Sequence, residues 1–150
     1  MSHAVSDPCP IPGVHLTPLK IIEGPLGTVL HGLKSHEPSF IEFGEVYFST
    51  VKHQAIKSWR RHLDVTLNLV VPQGEIRFVL CDDRPGEEPV FWEVYLSRDN
   101  YQRLTVAPGI WLAFQGISEE TNMLMDVIDL PHADQKSETK ELEEIPYSWD

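Results

Sequence analysis

The feature that most narrows the possible folds is the alternation in Leu63-Asp64-Val65-Thr66-Leu67-Asn68-Leu69-Val70-Val71, where every odd position is apolar and the even positions begin polar. Period two is the signature of an extended strand with one face in a core and the other turned towards something wet. Pro72-Gln73-Gly74 then reads as a turn and Glu75-Ile76-Arg77-Phe78-Val79-Leu80-Cys81 as a second strand, so the two are predicted to form a hairpin. Shorter runs follow at 90–96, 104–107, 110–117 and 122–128, separated by Arg84-Pro85-Gly86, Asp99-Asn100, Pro108-Gly109 and Ser118-Glu119. Only Asp99 to Arg103 suggests a helical turn. Many short strands with turn residues between them must close or stack to hide their edges, which predicts an all-β jelly roll.

At 150 residues the chain fits one core. Residues 1–25 hold Pro8, Pro10, Pro12, Pro18 and Pro25 and read as an extended arm, residues 26–131 as the jelly roll, and residues 132–150 as an acidic tail. Ile145, Tyr147 and Trp149 alternate at the end of that tail, which is therefore either solvated or docked through its aromatic side chains. No apolar run approaches the eighteen or so residues that cross a bilayer, and the Pro-rich start lacks the order of a secretory signal, so a cytoplasmic protein is expected. Cys9 and Cys81 have no CxxC spacing, which argues against a disulfide framework or a structural zinc site. With 23 acidic against 12 basic residues the formal charge is −11, a field that repels nucleic acid.

One stretch inverts that field. Lys52-His53-Gln54-Ala55-Ile56-Lys57-Ser58-Trp59-Arg60-Arg61-His62 gathers Lys57, Arg60 and Arg61 beside Trp59. Guanidinium forks match pairs of phosphate oxygens and an indole can stack on a ring, so a small dianion is a plausible guest; a solvated basic loop is the plainer alternative. His62 shares the even face of the strand with Asp64, Thr66 and Asn68. If that face lines a cavity, a neutral imidazole there can take a proton from a carbon next to a carbonyl; otherwise His62 is a surface residue. Asp64 lies about 7 Å along the strand, long for a direct bond to the ring. No Gly-x-Ser-x-Gly elbow, Walker loop or Gly-x-Gly-x-x-Gly fingerprint is present. His3, His15, His31 and His36 sit on no element that would converge them and are read as surface residues.

Gly74-Glu75-Ile76 running to Asp82 and Arg84, Leu96-Ser97-x-x-Asn100, Leu104-x-Val106-x-Pro108-Gly109 to Phe114, and Ser118-Glu119-Glu120 resemble the central strands of the dTDP-4-dehydrorhamnose 3,5-epimerase family, over about residues 40–130. Pro108-Gly109-Ile110-Trp111 is also similar to the sugar-nucleotide 3,4-ketoisomerases of the same cupin group. The resemblance implies a dimeric cupin jelly roll without metal or other cofactor, binding a nucleotide-linked 4-keto-6-deoxysugar and moving protons α to its ketone, for a cell-surface polysaccharide or a glycosylated product. His62 aligns with the family's general base. Lys57, Arg60 and Arg61 fall where the epimerases hold the diphosphate, with Trp59, Asn68 and Arg77 as further substrate contacts. Of the four metal ligands found in metal-binding cupins, His62 alone has a counterpart.

The resemblance also marks departures. Met125 stands where the epimerases carry a tyrosine acid, Leu112 where they carry a second histidine, and Leu67 or a neighbour where a lysine is expected. A ketoisomerase shuttles a proton along one face, so a single histidine with Tyr47 or Tyr101 as helper would serve. The alternative implied by the same departures is a sugar-nucleotide-binding module with reduced catalysis.

Overall fold

Ile76–Asp82 is buried at every position, although its side chains alternate between two faces. A strand can only be dry on both sides if something covers each, and that requirement organises the molecule. The computed structural model describes residues 9–84, 86–131 and 136–150. Thus Pro8 and His3 of the arm, Pro85 of one turn and the first four residues of the tail lie outside the described residues.

Among the described residues twelve strands run in chain order: β1 (Val14–Pro18), β2 (Ile21–Gly24), β3 (Gly27–Leu30), β4 (Glu45–Val51), β5 (Ile56–His62), β6 (Leu67–Gln73), β7 (Ile76–Asp82), β8 (Val90–Leu96), β9 (Gln102–Val106), β10 (Trp111–Gly116), β11 (Asn122–Ile128) and β12 (Ser137–Thr139). A 3₁₀ turn follows at Leu142–Glu144. One sheet has the order β1-β9-β6-β11-β4, the other β12-β5-β10-β7-β8, and β2-β3 is a separate hairpin. All strand pairings are antiparallel, as an all-β jelly roll requires. The core joins Leu67, Leu69, Val71, Leu104 and Leu124 from the first sheet to Ile76, Phe78, Leu80, Val94 and Leu112 from the second.

Three local expectations are corrected. The run 63–71 is not one strand: β5 ends at His62, the chain turns through 63–66, and β6 starts at Leu67 in the other sheet. Nor do β6 and β7 make a hairpin, because Pro72-Gln73-Gly74 carries the chain between sheets; β6 pairs with β9 and β11, and β7 with β8 and β10. Gly74 has φ 78°, and a Cβ there would press into the Thr121 carbonyl and Asn122, so only glycine fits this corner. Residues 99–103 form no helical turn: Ser97 and Asn100 close a tight turn and Arg103 lies on β9.

The outer cover of β7 is the end of the chain. β12 pairs with β5, placing Ser137, Glu138 and Thr139 opposite His62, Arg61 and Arg60. Beyond it Ile145 is buried with Trp59, Val79, Cys81, Trp111 and Ala113, while Tyr147 and Trp149 pack against that cluster. The Tyr147 hydroxyl donates to Glu93, and Arg77 donates to the Trp149 carbonyl at 2.8 Å. The described part of the tail is thus docked through its aromatic residues, acidic though its composition is. Among the described residues no helix is long and apolar enough to cross a membrane.

Candidate active site

Between the sheets lies a cavity of about 820 Å³, within the size range of small-molecule sites. The first sheet contributes Tyr47 and Ser49 from β4, Leu67 and Leu69 from β6, and Leu124 and Asp126 from β11. The second contributes Lys57, Arg60 and His62 from β5 and Leu112 and Phe114 from β10, and the rim is finished by Thr139 to Glu141 and Glu144 of the docked tail. Proton-handling groups therefore stand on two walls, His62 on one sheet and Tyr47 with Asp126 on the other.

Strand geometry decides which basic residues reach this space. On β5 the parity of His62 and Arg60 points inward, and a register shift opposite Leu112 to Phe114 brings Lys57 to the same side. His62 is 8% exposed. Its backbone carbonyl accepts from the Gly109 amide at 2.8 Å, so the Pro-Gly turn, with Gly109 at φ 91°, pins the end of the strand. Lys57 Nζ reaches across to Ser49 Oγ at 2.8 Å and bridges the two sheets at the cavity edge.

The remaining sequence candidates lie elsewhere. Arg61 occupies the other face of β5, stacked 4.6 Å over the Trp111 ring and paired with Glu138 and Asp83, so it belongs to the docking of the tail. Trp59 borders the cavity, but its indole is fully buried on the outer side and donates to the Leu142 carbonyl at 3.3 Å, leaving no face for a ligand ring. Asn68 lies on the outward side of β6, donating to the Ser39 carbonyl and accepting from Thr105. Arg77 lies under the tail, held by Glu93, Gln115 and two carbonyls of the chain end. Tyr101 donates to the His31 carbonyl at 2.6 Å, away from the cavity. Asp64 is exposed and accepts from the Lys136 amide. His31 is half-buried, and His15 and His36 are exposed.

Two of the three departures do face the cavity, because Leu112 and Leu67 line it. Met125 does not: the inward residues of β11 are Leu124, Asp126 and Ile128, and Met125 turns towards Gly32 on the outside. In its place the fold presents Asp126, which sequence reasoning missed. Asp126 is 3% exposed, and its Oδ2 accepts from the Tyr47 hydroxyl at 2.9 Å. Burial pushes its carboxyl up to about 7, against the pull of the Tyr47 hydroxyl and the Asn68 amide. Burial, and then the neighbouring Asp126 charge, push the Tyr47 phenol well above its ordinary value; Arg60 is near enough to oppose that rise. Among the described residues no three histidine, cysteine, aspartate or glutamate side chains are grouped as metal ligands.

The sequence matches no family model and no curated protein. Solved structures are informative. A dTDP sugar isomerase from Desulfovibrio desulfuricans superposes with TM-score 0.88 at 35% identity, covering 93% of this chain and 92% of that one. The RmlC epimerase of Mycobacterium tuberculosis gives 0.74 at 16% identity, over 89% and 72% of the two chains. QdtA, a sugar 3,4-ketoisomerase from Thermoanaerobacterium thermosaccharolyticum solved with TDP, gives 0.64 at 18%, over 79% and 82%. At these last two identities the likeness is one of fold.

Proposed function

The chain belongs to the family of dTDP-sugar isomerases, and from that premise we propose that it isomerises or epimerises a dTDP-linked 4-keto-6-deoxysugar, with His62 as base. The observation that carries this reading is the cavity itself: an imidazole, a guanidinium and an ammonium share one pocket with a tyrosine on the facing wall. A carbon next to a ketone loses its proton readily only if a base is poised there and the developing oxyanion is met by donors or positive charge. His62, taking the proton as neutral imidazole, forms the base half. Arg60 and Lys57 hold the diphosphate, whose negative charge would otherwise be repelled by a chain of formal charge −11. Tyr47 stands where a proton can be returned from the other sheet.

The reaction is written with protein side chains alone, as expected of a metal-independent cupin, in the cytoplasmic supply of deoxysugars for surface polysaccharide or glycosylated products. A homodimer is part of the proposal. It is supported by Val46 and Phe48, exposed apolar residues on the edge strand β4, with Ile41 and Phe43 exposed just before it; sedimentation at micromolar concentration tests it, and a monomer would remove that part.

In heavy water the enzyme should place deuterium on the sugar carbon next to the ketone of a dTDP-linked 4-keto-6-deoxyhexose, and His62→Ala should slow this by about a hundredfold or more. A wild-type protein that exchanges nothing on such substrates sinks the catalytic reading. The apolar side chains Leu67 and Leu112 in the cavity favour a second reading, a binding module with reduced catalysis, which predicts a thermal shift with dTDP beyond that given by plain phosphate, without turnover.

A further inference from the structure

Asp126 is a buried carboxyl that lines the cavity and that the proposed reaction has not used, and its placement gives it a task. It sits on β11 directly opposite Tyr47 of β4 in the strand register, so the two side chains share one face of the sheet. Its Oδ2 takes the Tyr47 hydroxyl, while Oδ1 is buried with no hydrogen-bond partner of ordinary geometry. A buried carboxylate with one oxygen lacking a hydrogen bond of ordinary geometry is costly even with the Asn68 backbone amide nearby, and the cost falls if the group keeps a proton. The titratable and charged groups sharing its cavity are Tyr47 from β4, Lys57, Arg60 and His62 from β5, and Lys140, Glu141 and Glu144 from the tail. The Lys140 ammonium is drawn off, 4.9 Å over the Trp111 ring. β6 and β10 offer only Leu67, Leu69, Leu112 and Phe114.

We propose that Asp126 and Tyr47 form one proton-donating unit, in which Asp126 sets the direction of the Tyr47 hydroxyl and Tyr47 passes a proton to the substrate from the wall facing His62. The inference rests on the isomerase reading above and supplies the acid that Met125 does not. When Asp126 is neutral, its O–H donates to the phenolic oxygen and turns the phenolic proton towards the cavity. When Asp126 is ionised, the same hydroxyl is committed to the carboxylate. The transfers balance: His62 takes the C–H proton and the carbon's electron pair moves into the enolate; Tyr47 gives its proton to that enolate; Asp126 restores the phenol. Imidazolium then loses a proton to water and the carboxylate regains one. Asp126 is thus a positioning residue and Tyr47 the catalytic one.

The pH profile carries the test, with a dTDP-linked 4-keto-6-deoxyhexose as probe. The acid unit must be protonated, so kcat falls as pH climbs through and above about 7. Asp126→Asn should remove the alkaline limb and lower kcat about tenfold, while Tyr47→Phe should lower net turnover about a hundredfold. Both should retain deuterium uptake that depends on His62. An alkaline limb unchanged in Asp126→Asn, with turnover intact, overturns the proposal. Infrared spectra of the wild-type protein provide a readout that needs no variant to fold: a buried protonated carboxyl band should be present at about pH 6 and lost by about pH 9, and its absence throughout overturns the proposal as well. A wild type that exchanges no deuterium, yet shows this titration, counts against the isomerase reading and leaves the shared-proton pair standing.

Discussion

The two faces of β5 carry similar side chains into opposite surroundings. Inward, Lys57, Arg60 and His62 border an open cavity. Outward, Trp59 and Arg61 are sealed under the tail by Ile145, Leu142 and Glu138. Adjacent basic residues that together look like a phosphate site are thus divided by the pleat, one set left for a ligand and the other spent on holding the chain end. A strand that must serve a pocket and a docked tail at once does so by parity.

If that division holds, substitutions on the two faces should fail in different ways. The largest effect is expected for His62→Ala, which should slow deuterium uptake into substrate by about 10²- to 10⁴-fold, the range for losing a positioned base. Equal uptake in variant and wild type, by proton NMR of the sugar, would remove His62 from the chemistry. On the outer face, Trp59→Ala should cost about 3–5 kcal/mol in denaturant unfolding, as for other large aromatic side chains deleted from a core. A loss below about 1 kcal/mol would mean that the tail is not held by this indole.

How far these outcomes could be read without coordinates depends on what parity alone reveals. The strands at 76–82, 90–96 and 122–128 stand out because turn residues bracket largely apolar runs. The pairing of β6 with β9 and β11 does not, since adjacency in sequence favours a hairpin and nothing local reports a crossover between sheets. Asp126 is hidden for a subtler reason. In Asn122-Met123-Leu124-Met125-Asp126-Val127-Ile128 the set Met123, Met125, Val127 is the more uniformly apolar, so hydrophobic alternation points it inward. The fold does the reverse, with Asn122, Leu124, Asp126 and Ile128 buried and Met123, Met125 and Val127 half-covered from outside. A carboxyl turned into a dry wall is where local pattern and functional placement part company.

That carboxyl also has a stability signature. Its folded value, about 7, lies above that of an ordinary aspartate, so folding disfavours the ionised form. The sign follows from linkage: stability is undiminished below the ordinary carboxylate range, falls as pH rises towards 7 while the unfolded chain ionises and the folded one resists, and is flat above. Asp126→Asn should therefore gain on the order of 1–3 kcal/mol over wild type at about pH 8 and little at about pH 4. A gain that is the same at both pH values would show that the carboxyl does not titrate abnormally.

The smallest and most direct test compares neighbours. Arg60→Gln removes a charge facing the cavity, and Arg61→Gln removes one that ties β12 to β5 and stacks on Trp111. The first should raise the Kd for dTDP several-fold, roughly 1 kcal/mol for one phosphate contact, without moving the thermal midpoint. The second should lower the midpoint by a few degrees, because a partly exposed ion pair with a cation–π contact is worth about 1 kcal/mol, and should leave dTDP affinity near that of wild type. Isothermal titration with dTDP and thermal melts on the same two proteins separate the roles. If both variants lost affinity equally and neither lost stability, the two arginines would act together, and the division of β5 into a ligand face and a docking face would be untenable.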